Sequence, residues 1–364
     1  MHPPSPIALS PDGSALALGD GPELLVYRGS GEPVHKAFTD GILVGLVYTP
    51  GALIAIDADG RVSRWRHPDG APLDSPYAPV PGALGLAAAA DGTLAVLTSD
   101  GAVILAAGGA PWPVSLPSAS ALSFGPDRNS LGLGTSDGLF AAFDLQSGAP
   151  WGSVQLDEPI TGVGWSAQGA WLVAAGTQLH RVSGDGTTLV STLAAPGPLG
   201  SLAVSPDGMV AAATLPGAGA IVFDLHGSKS AGQIGVRRGV EGVALGAPML
   251  LALGFEDGEA SLIHLLSGHQ SRTEPHPGRA RTNWRVDNHV DAGILRGAQA
   301  LHQAQGAPIA RYVPPPEDRS ARGCVGGCAG VAVLMMLLTL TCAGMLGLMY
   351  VLRSTGLWEL IPLR

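Results

Sequence analysis

The sequence predicts an all-β fold, a seven-bladed β-propeller, followed by a linker and a single C-terminal transmembrane α-helix. Three observations carry the prediction. A Gly-x-Pro turn signal recurs at constant spacing, and short apolar runs of strand length fill the intervals between turns. One long uncharged apolar stretch stands near the C-terminus.

The turn signal reads Gly29-SGEP, Pro68-DGAP, Ala107-GGAP and Gln146-SGAP, and its glycines Gly31, Gly70, Gly109 and Gly148 lie 39 residues apart. The slot continues without proline at Gly186, Gly227 and Gly268. Such a fixed period marks a repeated supersecondary unit. A second turn series holds Asp20-Gly21, Asp59-Gly60, Asp100-Gly101, Asp137-Gly138 and Asp257-Gly258, with Gly176-Thr177 and Gly217-Ala218-Gly219 in the units between. A third runs from Pro11-Asp-Gly13 through Pro50-Gly51, Asp91-Gly92, Pro126-Asp127, Gln168-Gly169 and Pro206-Asp-Gly208 to Ala247-Pro248. Glycine accepts positive φ and aspartate bonds its own backbone, so these pairs set tight turns.

The runs between turns, such as Ile7-ALS, Ala15-LALG and Leu24-LVYR, give three clear strands and a weaker fourth per unit. Units open near Ile7, Leu43, Leu84, Leu122, Ile160, Leu199 and Val243. Four short strands per unit is the composition of a propeller blade, and small apolar first strands suit crowding near a central axis. Six or eight blades are the alternatives; seven counts best.

Two stretches, Leu202-AVSPDGMVAAAT…AIVFDLHGS and Ala121-LSFGPDRNSLGLGTSDGLFAAFDLQSG, resemble blades of the WD-repeat propellers. Phe143-Asp144 and Phe223-Asp224 stand where that family has Trp-Asp, and Tyr27-Arg28 and Trp65-Arg66 occupy the slot in other blades. The resemblance covers residues 7–270 and implies protein–protein interaction on a propeller. The family's Gly-His pair is missing, so its Asp–His–Ser–Trp network has no counterpart here. A related propeller family of bacterial surface and redox proteins therefore stays open. The last blade is expected to draw its outer strand from Ser271–Val290, with a short helix beginning at Asp291.

Residues 1–290 are read as the propeller, 291–322 as an Arg- and Pro-containing juxtamembrane linker, 323–352 as the transmembrane helix and 353–364 as a tail. No charge falls between Gly323 and Leu352, and the 22 residues from Val331 to Leu352 would make a helix of roughly 33 Å. A hydrocarbon core of about 30 Å is crossed by that length. Arg322 and Arg353 flank the span, and Tyr350 and Trp358 sit at interfacial positions. The Gly-x-x-x-G spacings at Gly323, Gly326, Gly327 and Gly330 suit either a helix-mediated homodimer or a flexible membrane edge, the second favoured because glycine is common throughout. No basic region with a following apolar run opens the chain, so a tail-anchored, single-pass protein with a cytoplasmic propeller is expected. With 18 Arg to 2 Lys, the composition suggests a bacterial inner membrane.

Up to His269 the chain carries 10 Lys and Arg against 23 Asp and Glu. An acidic body argues against nucleic acid as a partner, since phosphate binding needs clustered cations. Cys324, Cys328 and Cys342 all lie at or inside the apolar span, which leaves the body without disulfides or a cysteine metal site. His264, His269, His276, His289 and His302 match no ligand spacing and read as loop residues. Asp57-Ala-Asp59-Gly60 only faintly echoes a calcium loop. No nucleophile elbow, phosphate loop or zinc-protease motif appears. The sequence thus nominates no catalytic, cofactor-binding or metal-binding residue and no cofactor, and it leans away from an enzyme.

The expected function is a membrane-anchored scaffold that docks unidentified proteins on the propeller faces and meets the bilayer through its C-terminal helix. Trp112, Trp151 and Trp171 are the candidate interface aromatics. A small-ligand sensor or hydrolase using the central channel is one alternative. A structural accessory subunit of a membrane complex is the other.

Overall fold

The computed structural model describes residues 5–304 apart from 30–31, 127–128, 237 and 274–284. The expected transmembrane helix, its tail and the three cysteines lie outside the described residues, among which no helix is long and apolar enough to cross a membrane.

Seven antiparallel sheets follow one another along the chain. Blade 1 comprises β1 (Ile7–Leu9), β2 (Leu16–Asp20), β3 (Glu23–Tyr27) and β4 (His35–Phe38). Blade 2 comprises β5 (Leu43–Thr49), β6 (Ala52–Asp57), β7 (Val62–Arg66) and β8 (Pro72–Leu73). Blade 3 comprises β9 (Gly85–Ala88), β10 (Leu94–Thr98), β11 (Gly101–Leu105) and β12 (Trp112–Ser115). Blade 4 holds β13 (Ala119–Phe124), β14 (Ser130–Thr135), β15 (Leu139–Asp144) and β16 (Pro150–Gln155). Blade 5 holds β17 (Ile160–Trp165), β18 (Ala170–Ala175), β19 (Gln178–Ser183) and β20 (Leu189–Ala194). Blade 6 begins with β21 (Leu202–Val204), β22 (Val210–Leu215), β23 (Gly219–Asp224) and β24 (Lys229–Val236). Blade 7 is β25 (Val240–Gly246), β26 (Leu250–Phe255), β27 (Ala260–His264) and β28 (Gln270–Arg272).

Strand segregation follows from side-chain chemistry. The second strands are buried almost throughout, β6 as ALIAID and β18 as AWLVAA, so they read as continuous apolar runs. The outer strands alternate, as in HKAF of β4 and PWGSVQ of β16, because only one face of each packs inward. The core is divided: seven apolar clusters each join two neighbouring blades. Burial is thus distributed around the ring, as expected when one unit cannot bury its faces alone.

First strands lie against one another in order, and β25 returns against β1. Closure packs Leu9, Leu16, Leu18 and Tyr27 of blade 1 with Ala244, Ala252 and Ala260 of blade 7. The first four strands of each blade come from one contiguous stretch. The outer strand of blade 7 is β28, which starts one residue before the expected window.

The rest of that window behaves differently. Val286–Asn288, within the same window, forms an additional strand, β29, which pairs with β24 as a fifth strand of blade 6. Ala292–Ala304 then forms α1, whose N-terminus is capped where Asp291 Oδ1 accepts the Gly293 N–H at 2.8 Å. Leu295 is fully buried against blades 6 and 7, and Arg296 donates to the Leu266 carbonyl at 3.0 Å. The residues after 290 therefore include a strap fastened to the propeller.

Antiparallel order fixes two faces. Turns after the first and third strands of each blade lie on one, termed the lower face. Turns after the second strand and the links between blades lie on the other, the upper face.

Candidate functional site

Converging chemistry in a propeller would sit on its inner ring of first strands. In four blades the first strand opens with a bulge, at Val44, Ser120, Thr161 and Glu241. A bulge re-aims its extra residue, and three of these reach the next blade. Ser120 Oγ donates to the Ile160 carbonyl at 2.6 Å and Thr161 Oγ1 to the Leu199 carbonyl at 3.0 Å. Ser201, in the same slot of blade 6, donates to the Glu241 carbonyl at 3.4 Å. At the closing joint Glu241 replaces the hydroxyl, and its carboxylate accepts the Ser5 N–H at 3.0 Å. Glu241 is the one carboxylate on the seven first strands, which carry no histidine or cation. Apolar Leu86, Ala87, Leu202 and Val204 occupy much of the remainder. This ring is built for joining blades, and it offers a channel hydrolase no group of converging carboxylates.

The tryptophans divide by environment. Trp171 is fully buried, edge-on to Trp165 at 4.7 Å, with its Nε1–H donating to the Gly184 carbonyl at 3.0 Å. Trp112 is half-buried beside the Gly148 turn of the next blade. Trp151 is 44% exposed, and the register slips at its position in β16. Of the three, only Trp151 presents a substantial free surface. Asp57 accepts the Arg61 N–H at 2.8 Å and so braces a turn. His264 does the same in blade 7, where Nδ1 takes the Ser267 N–H at 3.3 Å. His276 lies outside the described residues.

A cleft of about 220 Å³ lies on the lower face between blades 1 and 2. Its apolar wall is Val26, Val34, Leu53 and Trp65, and its polar groups are Arg28, His35, Tyr48, Arg66, His67 and Asp69. Two of these occupy the slot where the WD-like pattern has aspartate. In blade 4 that slot is Asp144, whose carboxylate accepts the Gln146 N–H at 2.9 Å and the Ser147 hydroxyl at 2.8 Å. Those bonds hold its carboxyl below the usual range, the Gln146 contact first. In blade 6 Asp224 accepts the Gly227 N–H at 3.0 Å. Blades 1 and 2 have Arg28 and Arg66 instead. The neighbouring Asp69 braces the blade 2 turn, accepting the Ala71 N–H at 3.1 Å, and the guanidiniums are left at the rim. Arg28 reaches across the joint to the Pro68 carbonyl, and Arg66 lies 3.3 Å from Asp69.

The floor holds two polar atoms closed from solvent. Tyr48 is 9% exposed and its hydroxyl has no hydrogen-bond partner among the described residues; the same is true of His35 Nε2. Burial pushes the Tyr48 phenol above its ordinary range, with Arg28 opposing the shift, so the hydroxyl is a proton donor at neutral pH. Tyr48 meets His67 edge-on at 5.3 Å, and Gly70 packs against His35. No nucleophile–base pair is evident; the arrangement suits binding.

No family model and no curated protein matches the chain. Solved structures do match. Among them, the β-propeller domain of Cps50 (Swd1) from Myceliophteria thermophila aligns with a TM-score of 0.54 at 14% identity, covering 69% of this chain and 93% of that one. The likeness is one of fold. It supports the β-propeller architecture and carries no activity across at this identity.

Proposed function

We propose that this protein is a membrane-anchored propeller that serves as a scaffold for other proteins. The observation that carries the scaffold reading is the charge of the upper face. Exposed Asp40, Asp59, Asp74, Asp100, Asp137, Asp157, Glu158 and Glu256 all lie in its turns and links. Among the described residues the exposed cations there are Arg61, 3.7 Å from Asp40 and 3.4 Å from Asp59, and Arg285, 3.3 Å from Asp287. Folding does not require that excess, because buried apolar clusters hold the blades. A predominantly acidic face accelerates encounter with an oppositely charged partner and disfavours like-charged ones. Basic proteins are therefore the expected partners, and the fold's broad faces suit docking more than one.

The membrane half of the proposal rests on the uncharged run from Gly323 to Leu352. Anchoring would concentrate partners at a bilayer. In this reading the propeller is cytoplasmic and the span single-pass.

A photo-crosslinking residue at Ser99, exposed on the upper face, and another at exposed Glu32 on the lower face test the scaffold directly in cells. Discrete adducts from Ser99 that vanish when Asp137 and Glu158 are both changed to lysine are expected. Adducts unaffected by those changes, or none from Ser99, would contradict docking on the acidic face.

A further inference from the structure

We propose that the cleft between blades 1 and 2 binds a carboxylate carried on a compact apolar body. The argument begins with the slot that departs from its repeat. Where blades 4 and 6 use aspartate to tie their own turns, blades 1 and 2 place Arg28 and Arg66 at one shared opening. Arg66 holds Asp69 only through an exposed pair, which contributes little. A ligand carboxylate meets a planar guanidinium through two parallel N–H donors, a geometry that favours exchange of that partner.

Beneath the rim, the Tyr48 hydroxyl is a donor with no acceptor. Leaving such a group buried and unpaired costs about 1–3 kcal/mol, which a ligand acceptor recovers when the rim side chains part to admit it. The wall of Trp65, Leu53 and the valines gives the ligand's body an apolar surface. An apolar cavity of about 150 Å³ in another protein holds benzene, so 220 Å³ accommodates an aryl or branched alkyl group. Cations at the mouth, an unpaired donor at the floor and apolar sides select an amphipathic monoanion over a sugar or a cation. The carboxylate could belong to a free metabolite or to the C-terminus of a peptide ending in an apolar residue.

The full chain, purified in detergent, would be titrated calorimetrically with 3-phenylpropionate and with its neutral amide. Saturable binding of the acid, with the amide at least about tenfold weaker, is the expected result. Tyr48→Phe should weaken the acid by about tenfold while leaving the unliganded melting temperature unchanged or higher. Arg66→Gln, altered at the exposed rim, should weaken the acid and not the amide. Equal affinity for acid and amide, no saturable binding of the acid, or wild-type affinity in Tyr48→Phe would each overturn the proposal. A peptide ending in a phenylalanine carboxylate identifies the source. Tighter binding than 3-phenylpropionate supports a peptide terminus, and weaker binding supports a free small acid.

Discussion

A methyl group at Gly208 would lie 2.4 Å from the Ala167 nitrogen of the preceding blade, and Gly208 has φ +67°. Gly13, in the same slot of blade 1, is placed alike, with φ +71° and the Ala247 carbonyl 2.1 Å from such a methyl. Each residue both turns its strand and lets two blades touch. Gly208→Ala should therefore destabilise the propeller by at least about 2 kcal/mol, measured by chemical denaturation. Trp171→Ala should remove about 3–5 kcal/mol, since a fully buried indole and its bond to Gly184 are both lost. The turn glycines were legible in the sequence because no other residue takes positive φ so freely. The cleft was less so. Arg28 and Arg66 could be seen to depart from their repeat, but Tyr48 and His35 belong to different blades and no spacing joins them.

At the scale of elements, hydroxyls and carboxylates fasten what apolar packing leaves free. Ser120→Ala removes a 2.6 Å link between blades 4 and 5 and should cost about 1 kcal/mol. In the turn from Ser10 to Ser14, Asp12 accepts the Ser10 hydroxyl at 2.6 Å, which holds its carboxyl down to about 2 against an ordinary 3.8. Hydrogen bonds also lower Asp144 and Asp185, led by the Gln146 N–H and the Ser183 hydroxyl. A carboxyl held down in the folded state binds protons less readily than in the unfolded one. Its stabilisation is complete above about pH 4 and is lost as pH falls towards 2. His180 adds an earlier step. Burial lowers its folded pKa below 6.5, although Asp157 opposes this, so stability from this group falls as pH drops below 6.5. Denaturation midpoints measured between pH 8 and pH 3 should decline in that order. Strand β29 was an element the sequence did not announce. Its three residues gain order from the free edge of β24, a tertiary fact that local propensity does not encode.

For the whole molecule, the seven-unit count could be read from turns alone, whereas the mode of closure could not. Glu241 at the closing joint looks like any other surface acid until Ser5 is placed beside it. A ring joined at every interface by shared clusters should unfold as one cooperative unit, with no blade melting separately. The proposed function turns on attachment of this ring to a bilayer. It is tested most directly by separating membranes from the cells that make the protein and extracting them with alkaline carbonate, comparing the full chain with a chain ending at Ala310. The account predicts that the full chain stays in the membrane pellet and that the shortened chain is released. A full chain released as completely as the shortened one would contradict it.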